Sequence, residues 1–112
     1  MKKIEWSLEQ GKMQVNGNHV SLPNIVIKAV EINDLVLVLL DHSSMDRNIF
    51  ALNQEGKIAW QIEAPSYGGN EPKPFTELAI TSTGKVQAFN WNGFLHELDP
   101  TTGKTVSLKF TK

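Results

Sequence analysis

Short alternations of apolar and polar residues run along nearly the whole chain, separated by Gly, Asn and Pro. Residues 12–15 and 18–22 alternate on either side of Asn16-Gly17. An Asn-Gly pair in that setting is a strong hairpin signal, because both central residues of a type I′ turn need positive φ. Pro23 then ends the ladder, having no N–H to donate. Residues 24–32 are rich in β-branched side chains, and Asn33-Asp34 reads as a turn. Ile25, Val26, Ile27 and Val30 argue against a helix there, since branching at Cβ restricts χ1 against the preceding helical turn. Leu35–Leu40 is apolar without a break, which suits a strand buried on both faces.

Beyond a polar connector at 41–47, residues 48–52 and 57–62 read as strands around a turn at 53–56. Residues 63–74 hold three prolines and two glycines and form a long loop. Residues 78–81 and 85–90 pair around Ser82-Thr83-Gly84, with Val86, Ala88 and Asn90 on one face. Asn92-Gly93 is a second hairpin signal that returns the chain through Phe94–Leu98. In Asp99-Pro100-Thr101-Thr102-Gly103 the turn chemistry is visible: Asp to cap with its side chain, Pro to preset φ, Gly to leave. Thr105–Phe110 is the closing strand. About nine short strands at intervals of roughly ten residues predict an all-β fold of antiparallel sheets, as a sandwich, a barrel or propeller-like sheets. Helical segments of crossover length are missing, which argues against a parallel α/β sheet.

One stretch occurs twice. Leu52-Asn53-Gln54-Glu55-Gly56-Lys57-Ile58 is matched by Leu98-Asp99-Pro100-Thr101-Thr102-Gly103-Lys104-Thr105, with the Leu positions 46 residues apart and the Gly positions 47 apart. Repeats of about 40–50 residues with several strands each are a signature of propeller blades. The pattern strand-Leu-Asp-x-x-Thr-Gly-Lys-strand is similar to the repeats of pyrroloquinoline-quinone-type β-propellers. Trp60 falls where that repeat carries a tryptophan, whereas the second copy departs from it at Ser107. The resemblance covers residues 35–110 and concerns the scaffold; no cofactor ligand is matched, so it implies neither a quinone nor an activity. A closed propeller needs at least about four blades. Two blade-like units therefore imply a half-propeller with an added N-terminal hairpin. The expected organisation is one domain, with the hairpin region at 1–34, blade-like units at 35–62 and 78–112, and the long loop at 63–77.

Composition narrows the function. The chain has 112 residues, 40% apolar and 21% charged, as expected of one folded domain. The formal net charge is −1, Arg47 is the lone arginine, and no basic run exceeds Lys2-Lys3, so nucleic acid is not an expected partner. The absence of cysteine excludes disulfide and thiolate chemistry. Leu35–Leu40, the longest apolar run, falls short of the roughly 20 residues of a membrane span. Glu5, Glu9, Gln10 and Lys12 interrupt any signal-like stretch after the N-terminal lysines. A cytoplasmic protein is expected.

Chemistry-bearing residues do not assemble into a reaction class. His19, His42 and His96 lack metal-ligand spacing. Asp41-His42-Ser43-Ser44 has the residue types of a triad, but a triad is a spatial arrangement that sequence neighbours do not generally make. Glu63, Glu71 and Glu77 around the long loop read as a solvated acidic rim rather than a glycosidase pair. Gly68-Gly69 opens no helix and so cradles no phosphate. The expectation is a non-enzyme without cofactor or metal. The long loop is the best binding candidate, with Tyr67 as an aromatic anchor and Glu63 and Glu71 as charges that speed a partner's approach. Trp91, beside Asn92 in a tight hairpin, is the second. In size and architecture the chain also resembles immunity proteins of bacterial contact-dependent growth-inhibition systems. That resemblance implies a monomer that binds and neutralises a cognate toxin domain, a nuclease being one class of target. The alternative is a small-ligand or glycan-binding module that oligomerises into a fuller propeller.

Overall fold

The computed structural model describes residues 4–41, 46–64, 73–91 and 93–110. These residues form eleven strands and no helix. β1 (Trp6–Glu9), β2 (Lys12–Val15) and β3 (Asn18–His19) make a three-stranded sheet. β4 (Val26–Ile32), β5 (Leu35–Leu40), β6 (Ile49–Leu52) and β7 (Ile58–Gln61) make a four-stranded antiparallel meander. β8 (Phe75–Ile80), β9 (Val86–Asn90), β10 (Phe94–Leu98) and β11 (Thr105–Phe110) make a second one with the same topology. The molecule is a half-propeller of two blades with an added N-terminal unit.

The turns follow from their residues. Asn16 and Gly17 sit at φ 48° and 83°, the left-handed pair that the hairpin between β2 and β3 requires. Gln10 and Gly11 repeat this geometry at 52° and 78°, which creates β1, a strand without a sequence signal because glutamine is not the residue usually found there. The first blade starts at Val26 rather than at Leu35: β4 pairs along the whole of β5 and so belongs with it. The second starts at Phe75 rather than at Leu78, because Phe75 pairs with Asn90.

β5 lies inside the middle layer and explains the stack. Leu37 and Leu39 join Ile49, Ala51 and Trp60 in a core shared with Phe75, Leu78, Val86, Ala88 and Leu98 of the second blade. Val36, Val38 and Leu40 join Phe50 and Leu52 in a core shared with Ile4, Met13 and Val15 of the N-terminal unit. Each fully buried side chain of this size contributes about 1.5–3 kcal/mol, so both faces of the first blade depend on a neighbour.

Specific contacts lock the layers. The Trp60 indole packs on Gly103 and donates Nε1–H to the Pro100 carbonyl at 2.8 Å. Gln54 holds the position of Pro100 in the first copy of the repeat, and its carbonyl accepts from Asn16 Nδ2 at 2.9 Å. Asn18 Nδ2 reaches the Glu55 carbonyl at 3.2 Å. Each repeat turn thus receives a donor from the preceding sheet. Asn48, fully buried, donates from Nδ2 to the carbonyls of Leu40 (3.0 Å) and Phe75 (2.8 Å) and accepts from the Phe75 amide at 2.9 Å. Lys28 of β4 meets Glu77 of β8 at 2.6 Å, a solvent-facing pair that adds little stability.

Gly103 and Gly84 separate backbone strain from packing. Both have positive φ, 77° and 83°, but a Cβ on Gly84 meets nothing within 4 Å, whereas one on Gly103 would lie within 3 Å of the indole carbons. Gly84→Ala is expected to lose only the strain energy, about 1–2 kcal/mol. Gly103→Ala is expected to lose a further 1–3 kcal/mol, roughly, from overpacking. Trp60→Ala should cost about 3–5 kcal/mol. The Trp60→Ala/Gly103→Ala double variant should cost less than the sum, since the indole that collides is gone. Urea unfolding of the four variants measures this.

Candidate partner-binding surface

The meander topology gathers one end of every strand of both blades into a single rim. Val26 pairs with Leu40 and Leu39 with Ile49, and the Ile62 amide bonds the Ile49 carbonyl. Phe75 pairs with Asn90 in the second blade, and Asn48 joins Phe75 to the first. Ile25, Arg47, Glu63 and Trp91 follow from these pairings as rim residues.

Main-chain contacts hold this rim. Arg47 Nε donates to the Ile62 carbonyl at 2.9 Å, and Gln61 Nε2 to the Arg47 carbonyl at 2.8 Å. The Asp41 amide bonds Ile25 O at 2.9 Å, and Asn24 Nδ2 bonds Asp41 O at 3.1 Å. On the second blade the Trp91 amide bonds Pro74 O at 3.1 Å, and buried Asn90 donates from Nδ2 to Lys73 O at 2.7 Å. Trp91 nevertheless keeps 50% of its surface exposed, and Ile25 51%. Glu63 and Arg47 are exposed beside the Ile62 backbone. Fixed backbone, exposed large apolar side chains and flanking charges of both signs are the ingredients of a protein interface.

Of the five expected binding residues, Glu63 and Trp91 lie on this rim. Tyr67, Glu71 and Asn92 lie outside the described residues. Ile25 and Arg47 are additions. Ile25 was hidden in a β-branched run that reads as strand interior, and Arg47 in a polar connector. The signal that could have found them is the parity of the meander, which returns every second strand end to the same side.

The other candidate chemistries disperse. Glu77 is engaged by Lys28, and that hydrogen bond, followed by the Leu78 amide at 3.0 Å, holds its carboxyl below the usual range. His96 lies buried between the blades, hydrogen-bonded through Nδ1 to Thr105 Oγ1 at 2.9 Å and edge-on to Phe75. Among the described residues no group of His, Asp and Glu is placed to hold a metal. The N-terminal sheet has a shallow, open cleft of about 410 Å³, lined by Lys12, His19, Val20, Leu22 and Ile25 among others.

Desolvation lowers the His96 pKa from its ordinary 6.5. The unfolded chain therefore takes up this proton first, and its contribution to stability, complete above pH 6.5 or so, is lost as pH falls below that value. His96→Gln is expected to remove this part of the acid destabilisation and leave the part below about pH 4.5, where Glu77 protonates. Thermal unfolding of both proteins from neutrality down to about pH 3 checks it.

The chain belongs to a family described as a domain of unknown function, DUF7957, whose sequence model matches residues 1–110. No curated protein matches it. Among solved structures it is similar to BamB from Moraxella catarrhalis, a β-propeller, with a TM-score of 0.62 and 23% identity over 88% of this chain and 30% of that one. It is also similar to the computationally designed protein Ika8, with a TM-score of 0.61 and 14% identity over 97% of this chain and 33% of that one. The chain spans about a third of the length of either structure. These likenesses show a propeller-like fold.

Proposed function

We propose that this member of the DUF7957 family is a non-enzymatic, cytoplasmic protein-binding protein of the bacterial immunity type, which neutralises a toxin domain by covering it with the rim of the half-propeller. The observation that carries this reading is Trp91, half exposed on a strand end pinned through its amide to Pro74. An indole held out on a fixed backbone loses little conformational freedom on binding and offers a large apolar area, as interface hot spots do. Ile25, half exposed where the first blade meets the N-terminal unit, adds apolar surface to the same rim. Glu63 and Arg47 supply charges whose main effect is on orientation and association rate.

The formal charge of −1 gives little long-range steering, so affinity would rest on slow dissociation from apolar anchors rather than on fast capture. Glu77 is paired with exposed Lys28, His96 lies buried against Thr105 and Phe75, and among the described residues no metal-type cluster gathers around either, which supports binding over catalysis. The outer face of the N-terminal sheet, with Ser7, Glu9, Lys12, Gln14 and His19, is polar and poorly suited to stacking another blade. That weighs against growth into a fuller propeller by face stacking.

The test uses the product of the adjacent upstream gene, mixed with the purified chain. A complex with one partner per chain is expected by light scattering. Trp91→Ala should weaken it by about 2 kcal/mol or more, roughly 30-fold in Kd, without changing the melting temperature. Glu63→Lys should act mainly on the association rate and more strongly at low salt. No complex, or one indifferent to Trp91→Ala, would sink the proposal.

A further inference from the structure

The outermost strand of the second blade is exposed at every residue. β11 lies at the edge of its sheet and, among the described residues, pairs only with β10, so no described strand takes the main-chain groups of its other edge. Val106, Leu108 and Phe110 are 61%, 47% and 55% exposed. Edge strands usually carry several charges, a proline or a central bulge that blocks further pairing. β11 has one lysine, Lys109, and its bulge falls early, at Val106, where the register shifts between the Glu97–Ser107 and Leu98–Thr105 pairs. Ser107 to Phe110 runs on regularly. The other edges of the two four-stranded sheets are more irregular or engaged. β4 and β8 are bulged and lie against one another, and the bulged β7 commits Trp60 to the Gly103 turn.

We infer that β11 is a self-association edge, pairing antiparallel with β11 of a second copy about a two-fold axis at Leu108. The side-chain order selects this occupant and register. Centred on Leu108, the pairing sets Leu108 against its own counterpart, Val106 against Phe110, and Ser107 against Lys109. Apolar side chains meet apolar ones throughout, and Lys109 faces a serine. Shifting the centre to Lys109 would set two lysines opposite each other, which destabilises a ladder. Shifting it to Ser107 would carry Phe110 past the apolar stripe, opposite Lys104.

Charge complements the same register on the opposite face. Gln87, Glu97 and Ser107 form one cross-strand row. Lys109 of the second copy would extend that row, two strands from Glu97, a gap of about 10 Å that the two side chains can span between them. Glu97 has a single distant cation at present, Lys85 at 3.8 Å, and its side chain is 31% exposed. The product is one continuous antiparallel sheet through both copies, with the apolar stripe closed on itself. This surface is lateral and the rim lies at the strand ends, so the inference does not rest on the proposed toxin binding.

The chain has no cysteine, so a single introduced thiol reports on the interface without background. Directly opposed residues have Cβ atoms about 4.5–5.5 Å apart and diagonal ones about 7–8 Å. Leu108→Cys is therefore expected to form a cross-linked dimer under mild oxidation, and Ser107→Cys far less of it. Light scattering of the unmodified protein should give a dimer mass that falls to the monomer with Leu108→Lys, the circular dichroism of that exposed-site variant being unchanged. A monomer mass up to millimolar concentration would overturn the inference. So would a dimer that ignores Leu108→Lys, or one in which Ser107→Cys cross-links as well as Leu108→Cys. Trp91→Ala should leave the dimer intact, so failure here and failure of the rim reading are separable.

Discussion

An indole occupies the space that any side chain at residue 103 would need. The architecture depends on that contact: Trp60 reaches out of the first blade and closes on Gly103, and its ring N–H meets the Pro100 carbonyl. Stacked sheets could slide over one another if only apolar surface held them, because hydrophobic burial has no direction. A hydrogen bond to one carbonyl and a ring fitted over one glycine supply the direction. The equivalent turn of the first blade receives Asn16 at Gln54, the counterpart of Pro100, so an amide does there what the indole does in the second. Two donors of different chemistry converge on one acceptor position of the repeat, which points to the turn carbonyl as the geometric requirement that both copies share.

The same logic sets the outer face of the second blade apart from its inner one. Ser107 stands in the second blade where Trp60 stands in the first, and serine cannot reach across to a further turn. The face beyond it carries Gln87, Glu97, Ser107 and Lys109 beside half-buried Phe89 and Leu95. At the opposite end the N-terminal unit turns Met13 and Val15 inward and Ser7, Glu9 and Gln14 outward. Repeat arrays need terminal units with a polar outer face. The short first sheet serves as such a cap, and it relieves the first blade of an exposed stripe of Val36, Val38 and Leu40 that the blade cannot cover alone.

Much of this was legible in the residues, and the reasons for the gaps are physical. Leu35–Leu40 announced a strand with two buried faces because neither face tolerates a polar residue. The Asp99 turn was readable because its cap is local: Asp99 Oδ1 accepts from the Thr101 amide at 2.9 Å. β1 was not, because its turn uses Gln10, which takes a positive φ only under tertiary constraint. β4 was set apart from its blade because its membership is decided by pairing along β5, a non-local fact. Among the site residues, Trp91 stood out for its chemistry beside a turn. Ile25 and Arg47 acquire meaning only once the strand ends are brought to one side, and no local pattern encodes that.

Rim and edge differ in what they can recognise. At the rim, backbone groups of the described residues are engaged within the chain, as the Arg47–Ile62 and Trp91–Pro74 bonds show. Recognition there must come from side chains, which favours a partner of defined shape. Along β11 the backbone itself is on offer, and main-chain pairing accepts any strand whose side chains do not object. Selectivity on that edge therefore has to be written in the order of Val106, Ser107, Leu108, Lys109 and Phe110, and that order matches itself when reversed. The second blade presents two kinds of surface: the strand ends, which a full ring would also display, and a lateral edge whose pairing would shield an apolar stripe from less specific neighbours.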